Sequence, residues 1–447
     1  MRKKYLAVLA FVCTLGVRAQ DLSIIKNSAE VYSNSGIMGT ARYNAVVGAL
    51  GALGGDVSSV NINPAGLGVF VSSDFSGSYS FSNVENTNVL FSNSVGSSTQ
   101  KNNFSQLGGV MSFLAARNSP WKFVNVGVNY SSSRIDDYIE TGGNDNIIYK
   151  YANGNRTFGG HAYDRYGYVS KYSLGIGTNY DNRFYLGGSI NLHSANIEQY
   201  DKYRLKDEAF NVNFFSNQGT PYSEISRGFS ASFGVIGKVT PQFRLGAAIE
   251  SPTWWSIDRT FTYYNEKNNA STYSELTNFS SPLRTTFSAA YVYKKSFSVD
   301  IDYTLGLTKP SYTTKFQDTN KDYKSFYSEN YKNSSEVRVG AEYRINQLRI
   351  RGGYSYADSP YNNFPTNSYT AEGNVTNQSF SGLFVGERNT IGAGLGYDFR
   401  SFYVDAAYQN ISSAYSNPIY YGASGVTVIS KVNQKINTFT MTLGWKF

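Results

Sequence analysis

The feature that most constrains this chain is a two-residue rhythm of apolar side chains. In Phe439-Thr-Met441-Thr-Leu443-Gly-Trp445-Lys-Phe447 every second residue is apolar, the mark of a strand with one face in an apolar medium and the other in water. The rhythm recurs backwards through the sequence, in Phe402 to Tyr408, Ile391 to Phe399, Leu348 to Tyr356, Val337 to Ile345, Phe297 to Tyr303 and Phe287 to Tyr293. It continues in Phe243 to Ile249, Phe229 to Val235, Leu186 to Leu192, Leu174 to Tyr180, Val124 to Tyr130, Leu107 to Phe113 and Phe75 to Phe81. With the last strand these make about 14 segments, and an even count is what a closed single-chain barrel needs.

The connections alternate as strictly as the strands. Short links such as Asp181-Asn182-Arg183, Asn346-Gln347 and Arg400-Ser401 exchange with long polar stretches near 82–104, 132–171, 194–227, 251–283, 305–335, 357–388 and 411–436. Short turns on the periplasmic side and long loops outside are the habit of outer-membrane barrels, so both termini are expected in the periplasm. Phe113, Tyr180, Tyr293, Tyr343, Phe399, Trp445 and Phe447 would then form an aromatic girdle at that interface. A terminal Phe on such a strand is similar to the signal read by the barrel-assembly machinery, a partner expected during biogenesis.

Composition agrees with a lipid-facing surface. Charged residues make up 16% of the chain, where about 25% is usual for soluble domains. Aromatic residues also reach 16% and glycines number 42. Residues 1–19 run from Arg2-Lys3-Lys4 through an apolar stretch to Val17-Arg18-Ala19, the layout of a secretory signal peptide. Beyond it no apolar run approaches the roughly 18 residues of a spanning helix, so a secreted chain that meets lipid must close its backbone hydrogen bonds as a barrel. Cys13 lies in the leader, which leaves residues 20–447 without a thiol for a disulfide, a nucleophile or a metal site. The formal charge of +8 includes Arg2, Lys3, Lys4 and Arg18, and falls to +4 without those four. So small an excess, with no basic run, argues against nucleic acid.

The residues between the apolar ones would line a lumen. They include Asp300, Asp302, Glu336, Arg338, Glu342, Arg344, Arg349, Arg351 and the glycines 392, 394 and 396. With Asn346-Gln347 as a two-residue turn, Glu342 faces Arg351, and the two are expected to form a cross-strand ion pair.

Residues 20–72 fit no barrel pattern. Ser35-Gly36, Gly39-Thr40-Ala41-Arg42 and Gly48-Ala49 precede Asp56 and Asn63-Pro64-Ala65-Gly66-Leu67, a glycine-rich apolar stretch without alternation and shorter than a membrane span. A plug folded inside the lumen, ahead of a barrel over residues 73–447, accounts for it. The order of these motifs resembles the N-terminal hatch of the FadL/TodX family of outer-membrane transport proteins. The likeness covers residues 35–70 by motif and the whole mature chain by architecture, a transmembrane antiparallel β-barrel of about 14 strands with an N-terminal hatch. It implies uptake of hydrophobic compounds such as long-chain fatty acids, by capture at outer loops, rearrangement of the hatch and lateral exit beside a kinked third strand. On this chain the hatch and gating residues would be Asp56, Asn63, Pro64 and Ala65, with Gly127 offered as the kink. Pro64 serves as well to end the hatch and begin the strand.

Aromatic residues cluster in two stretches read as loops, Phe210, Phe214 and Phe215 in one, Trp254, Trp255, Ile257 and Phe261 in the other. They are candidates for ligand capture, and Trp254 and Trp255 fit an outer aromatic girdle equally. Two histidines, His161 and His193, offer little for catalysis. His193-Ser194 and Asp136-Asp137 are sequence neighbours without a supporting motif, so no enzyme, no cofactor and no metal is expected. The competing function is a porin-like or adhesive outer-membrane barrel.

Overall fold

The computed structural model describes residues 24–33, 39–115, 118–151, 154–207, 212–215, 223–264, 270–294, 296–420 and 426–447. The expected leader and the Ser35-Gly36 motif lie outside them. Fourteen strands form the barrel wall: β1 (Asp74–Leu90), β2 (Asn93–Leu114), β3 (Trp121–Tyr151), β4 (Gly154–Tyr180), β5 (Phe184–Lys206), β6 (Ser223–Lys238) and β7 (Phe243–Glu250). They continue as β8 (Arg284–Tyr293), β9 (Phe297–Gly306), β10 (Ser335–Ile345), β11 (Leu348–Ala357), β12 (Arg388–Asp398), β13 (Phe402–Tyr420) and β14 (Thr427–Lys446). Each pairs antiparallel with the next, and β1 closes on β14 from Asp74↔Lys446 to Val89↔Lys431. Closure leaves no open edge, which is what a sheet in lipid requires. No described helix is long and apolar enough to cross a membrane.

Alternation decides which side chains face out. Met111, Ile176, Phe233, Phe287, Ile350, Leu395 and Leu443 lie exposed on the outer wall, and with their neighbours they make a belt of exposed apolar side chains that a water-soluble protein would bury. The expected girdle aromatics sit below them, Tyr343, Phe399 and Trp445 all exposed. Tight turns close this end, with Asp181, Asn182 and Asn346 at positive φ, the backbone that short hairpins between twisted strands demand.

The opposite end departs from expectation. The stretches read as loops near 82–104 and 132–171 are paired strand: β1 and β2 keep their ladder up to Leu90↔Asn93 and β3 and β4 up to Tyr151↔Gly154. At 31 residues, β3 greatly exceeds the roughly 10 that cross a bilayer. Beyond the belt the inner face buries only scattered apolar residues such as Leu90, Ile139, Ile147 and Phe158, so hydrophobicity stops alternating regularly although the ladder continues. Elsewhere the loops carry their own structure: a hairpin of residues 254–264 and 270–280 on β6, helix α1 (Gln317–Asn330), and a small hairpin of residues 364–369 and 375–380. The 254–280 hairpin extends β7 and β8 past paired interruptions at Ser251-Pro252-Thr253 and Ser281-Pro282-Leu283, where the missing proline N–H breaks the ladder.

Candidate functional site

Two segments from the N-terminal region fill the lumen at different heights. The lower one, residues 39–70, is held by side chains from around the wall. Asp300 accepts from the backbone N–H of Ala52 and Leu53 at 3.1 Å, and Asp302 from Gly51 at 3.2 Å. Across the barrel, Thr442 accepts from Ala41 N–H at 2.7 Å and Gln409 donates to the Asn44 carbonyl at 2.8 Å. Arg42 bridges to Glu342 at 3.1 Å, and Glu342 also takes Arg351 and Arg344, each at 2.7 Å. Arg351 reaches on to Asp405 at 2.7 Å. The Glu342–Arg351 pair read from the turn register is thus one link of a network that anchors the segment. Burial alone would lower the Arg42 pKa, but Glu342, Asp56 and Asp405 together raise it above its ordinary value.

Asp56 and Asn63 act within this segment. Asp56 caps the short turn that follows, accepting from Ser58 N–H at 2.9 Å, and also accepts from the Thr40 hydroxyl at 2.8 Å. Asn63 accepts from Ala65 N–H at 3.1 Å while its amide donates to the carbonyls of Gly51 and Val235, at 2.8 and 3.1 Å. Pro64 follows as the first residue of a helical turn, Pro64–Val69, where a missing N–H costs nothing. The glycines of the wall are the seat for this turn. A Cβ at Gly234 would fall on Asn63 Oδ1, and one at Gly187 on the Pro64 carbonyl.

Gly127 is not a kink. It pairs regularly with Val110 on one side and Gly175 on the other, and its missing Cβ makes room for Leu67, 2.9 Å from where that atom would stand. The third strand parts from β2 higher up. Their ladder stops at Gln106↔Ser131, whereas β1–β2 and β3–β4 continue. Above that point β3 is reached by side chains: Asn103 donates to the Ser132 carbonyl at 2.8 Å, Lys101 to that of Arg134 at 2.7 Å, and Asn86 of β1 to Asp137 at 2.8 Å. The Ser131-Ser132-Ser133 run carries no apolar alternation to mark a register, so the sequence offers no sign of the parting.

The upper segment, residues 24–33, is a helical turn driven into the loop end of the lumen. Ile24, Ile25, Ala29, Val31 and Tyr32 share an apolar cluster with Trp255, Ile257, Phe261, Phe279, Tyr312 and Phe326. This changes the reading of the aromatic stretch. Trp255, Ile257 and Phe261 lie on one strand face and are buried, gripping the segment, while Trp254 points the other way and is exposed, stacked on Phe229 with centroids 6.2 Å apart. Trp255 Nε1 donates to the Tyr32 carbonyl at 3.2 Å and Tyr32 donates to Glu224 at 2.6 Å. Phe214 and Phe215 belong to a short strand paired with Tyr203–Lys206, and Phe210 lies outside the described residues. The sequence carries a signal for this buried face, since 255, 257 and 261 share a parity, but its short span beside Pro252 gives it the look of a loop.

Between the segments lies a cavity of about 360 Å³. Its wall is strongly charged, with Glu30, Asp137, Arg165, Glu250, Arg284, Glu336, Arg338 and Arg388 among its lining, and it reaches Lys101, Asn103, Ser132 and Arg134 at the parting of β2 and β3. Neither pairing considered for catalysis is assembled: His193 Nε2 lies 2.9 Å from Ser230 Oγ, and Asp137 faces Arg165 while Asp136 pairs with Arg134 at 3.2 Å. Lys26, at the top of the upper segment, is buried with its ammonium 4.0 Å from Asp137. Burial pushes its pKa below the lysine norm against the upward pull of Glu30 and Asp137.

No protein-family model and no curated protein sequence matches the chain. Solved structures do. A toluene transporter of Pseudomonas putida, TodX, superposes with a TM-score of 0.56 at 12% identity, over 92% of this chain and 99% of the other. A FadL homologue of Pseudomonas aeruginosa gives 0.57 at 11%, over 92% and 100%. The monoaromatic hydrocarbon channel CymD gives 0.51 at 13%, over 92% and 98%. At such identities the likeness establishes the fold, and the chain has the fold of the FadL/TodX barrels.

Proposed function

We propose that the chain is an outer-membrane channel for uptake of hydrophobic and amphipathic small molecules, long-chain fatty acids among them, and that its turn end with both termini faces the periplasm. The observation that carries this is a lipid-belted barrel whose lumen is occupied by its own N-terminal region, leaving a cavity beside a break in the wall ladder. A porin for steady diffusion has no use for two inserted segments. The solved barrels with this fold are described as toluene transporters and a hydrocarbon channel. In this scheme ligand passes from the loop end to the cavity, the segment bearing Asp56, Asn63, Pro64 and Ala65 shifts in its glycine seat, and the ligand leaves sideways between β2 and β3 above Gln106. Biogenesis would call on the barrel-assembly machinery and the partner in place is outer-membrane lipid.

The test is a cross-link across the parting. Asn103→Cys with Ser132→Cys, joined by a short bismaleimide, is expected to leave binding of a fluorescent long-chain fatty acid intact and abolish its uptake into cells. Cys13 is the sequence's only other thiol. Uptake that survives the cross-link would remove the lateral route, and absence of saturable binding would remove fatty acids as ligands.

A further inference from the structure

The upper segment is held by more than apolar packing. Arg165 of β4 and Asp137 of β3 are register partners facing the lumen, yet the guanidinium and carboxylate stand 3.5 Å apart, longer than a well-formed charged hydrogen bond. Arg165 is turned to the segment, whereas Asp137 accepts from Asn86 of the wall at 2.8 Å with one oxygen and leaves the other towards the segment. Arg165 pairs with the Glu30 carboxylate and donates to Asn27 at 2.8 Å. Asp137 faces the Lys26 ammonium at 4.0 Å, which sits 4.5 Å over the Tyr163 ring and 5.6 Å from that of Tyr415. The wall therefore presents two poles, a guanidinium for a carboxylate and an acid flanked by two phenol rings for an ammonium. Glu30 and Lys26, one helical turn apart, fill them.

Lys26 is a poor choice if the only task is to fix a plug. It is 3% exposed and its Nζ has no hydrogen-bond acceptor, and a buried ammonium without one is costly where an apolar side chain of similar length would pack freely. A weakly held charge is well suited to being exchanged. Glu30, Asp137, Arg165 and Tyr415 all border the central cavity, so a molecule lodged there touches the poles directly.

We propose that the lumen site formed by Arg165, Asp137, Tyr163 and Tyr415 receives the zwitterionic head of an amphiphile, carrying an ammonium and a carboxylate together, and that Lys26 and Glu30 are its built-in stand-ins. The head group displaces them, and with them the upper segment, so the cargo itself unlocks the channel. A singly charged ligand answers one pole and leaves the other bare. The inference builds on the uptake function proposed above and names its substrate class.

The test measures calorimetric binding of four probes of one chain length to the detergent-purified full chain: Nε-lauroyl-lysine, dodecanoate, dodecylamine and dodecanol. Nε-lauroyl-lysine is expected to bind about tenfold more tightly than any of the others. Asp137→Asn and Arg165→Gln should each erase that advantage, and Lys26→Met with Glu30→Gln should enlarge it by freeing both poles. If the wall variants fail the heat-dependent gel shift of a folded barrel, Lys26→Met alone reads the acidic pole, because it must tighten dodecylamine binding. Equal binding of the probes, or an advantage that survives both wall changes, overturns the zwitterion site while leaving uptake standing. No binding of any probe overturns both.

Discussion

Arg259 shows how much a single side chain carries at the loop end. It is fully buried between Glu224 at 2.7 Å and Glu275 at 3.6 Å, and it also donates to Tyr312 and Thr277. Removing it strands the Glu224 carboxylate, which Tyr32 of the upper segment alone then answers. Arg259→Ala is expected to cost about 3–5 kcal/mol locally, read as faster proteolysis of the 254–280 hairpin with the barrel's gel shift unchanged; equal cleavage rates would show that the pair does not hold the hairpin. The glycine seat gives a second residue-scale prediction. Gly234→Leu puts a side chain where Asn63 lies, an overpacking of about 1–3 kcal/mol that should unseat the lower segment. Single-channel conductance in planar bilayers should rise, and a silent trace would show that the segment seats elsewhere. None of this was legible beforehand. Arg259 lay in a presumed loop, and a lumen glycine in sequence does not reveal what presses against it.

At the scale of elements, all fourteen strand cores were legible because each crosses the apolar belt, where period-2 hydrophobicity is forced on the sequence. Their upper reaches were not. Strand β3 continues from Ser131 to Tyr151 with mostly polar residues and only scattered buried apolar ones, Ile139, Ile147 and Tyr149, too widely spaced to set a period-2 rhythm apart from a loop. The N-terminal region was legible as a plug from glycine content and motif order, but its division into two segments was not, because the grip on residues 24–33 comes from partners more than a hundred residues away, such as Trp255 and Tyr327. Two segments predict two steps. Deleting residues 21–33 should open the loop end and let probes reach the cavity while conductance stays low. Deleting residues 21–60 should raise conductance sharply. The same conductance from both deletions would show that the lower segment does not seal the barrel on its own.

Considered whole, the molecule is a wall with an apolar outer belt around a lumen that holds its own N-terminal segments. Leu395 faces out at 57% exposed, whereas the preceding Gly394, pointing in, would place a Cβ 2.6 Å from Ala45 of the lower segment. Leu395→Arg should cost about 2–4 kcal/mol at mid-belt and lower the fraction that inserts into lipid vesicles, measured by gel shift. Arginine in place of Thr376, in the small loop hairpin, should insert as wild type does. Equal insertion of the two would move the membrane away from the belt. The cavity was not legible in the sequence, because its chemistry is set by scattered single residues such as Arg284, Arg338 and Arg388, each brought in by a different strand.

The wall is uneven in height. Strands β1 to β5 run from 17 to 31 residues, while β7 to β12 run from 8 to 11. At about 3.3 Å per residue, β3 is roughly 70 Å longer than β11, so the rim is cut obliquely and one side stands as a tall blade. On the orientation proposed above, whatever approaches the cell from outside, an antibody, a phage fibre or a neighbouring cell, meets the tip of that blade well before it meets the mouth. Evolution can therefore redraw the tip to escape recognition without touching a residue that handles cargo.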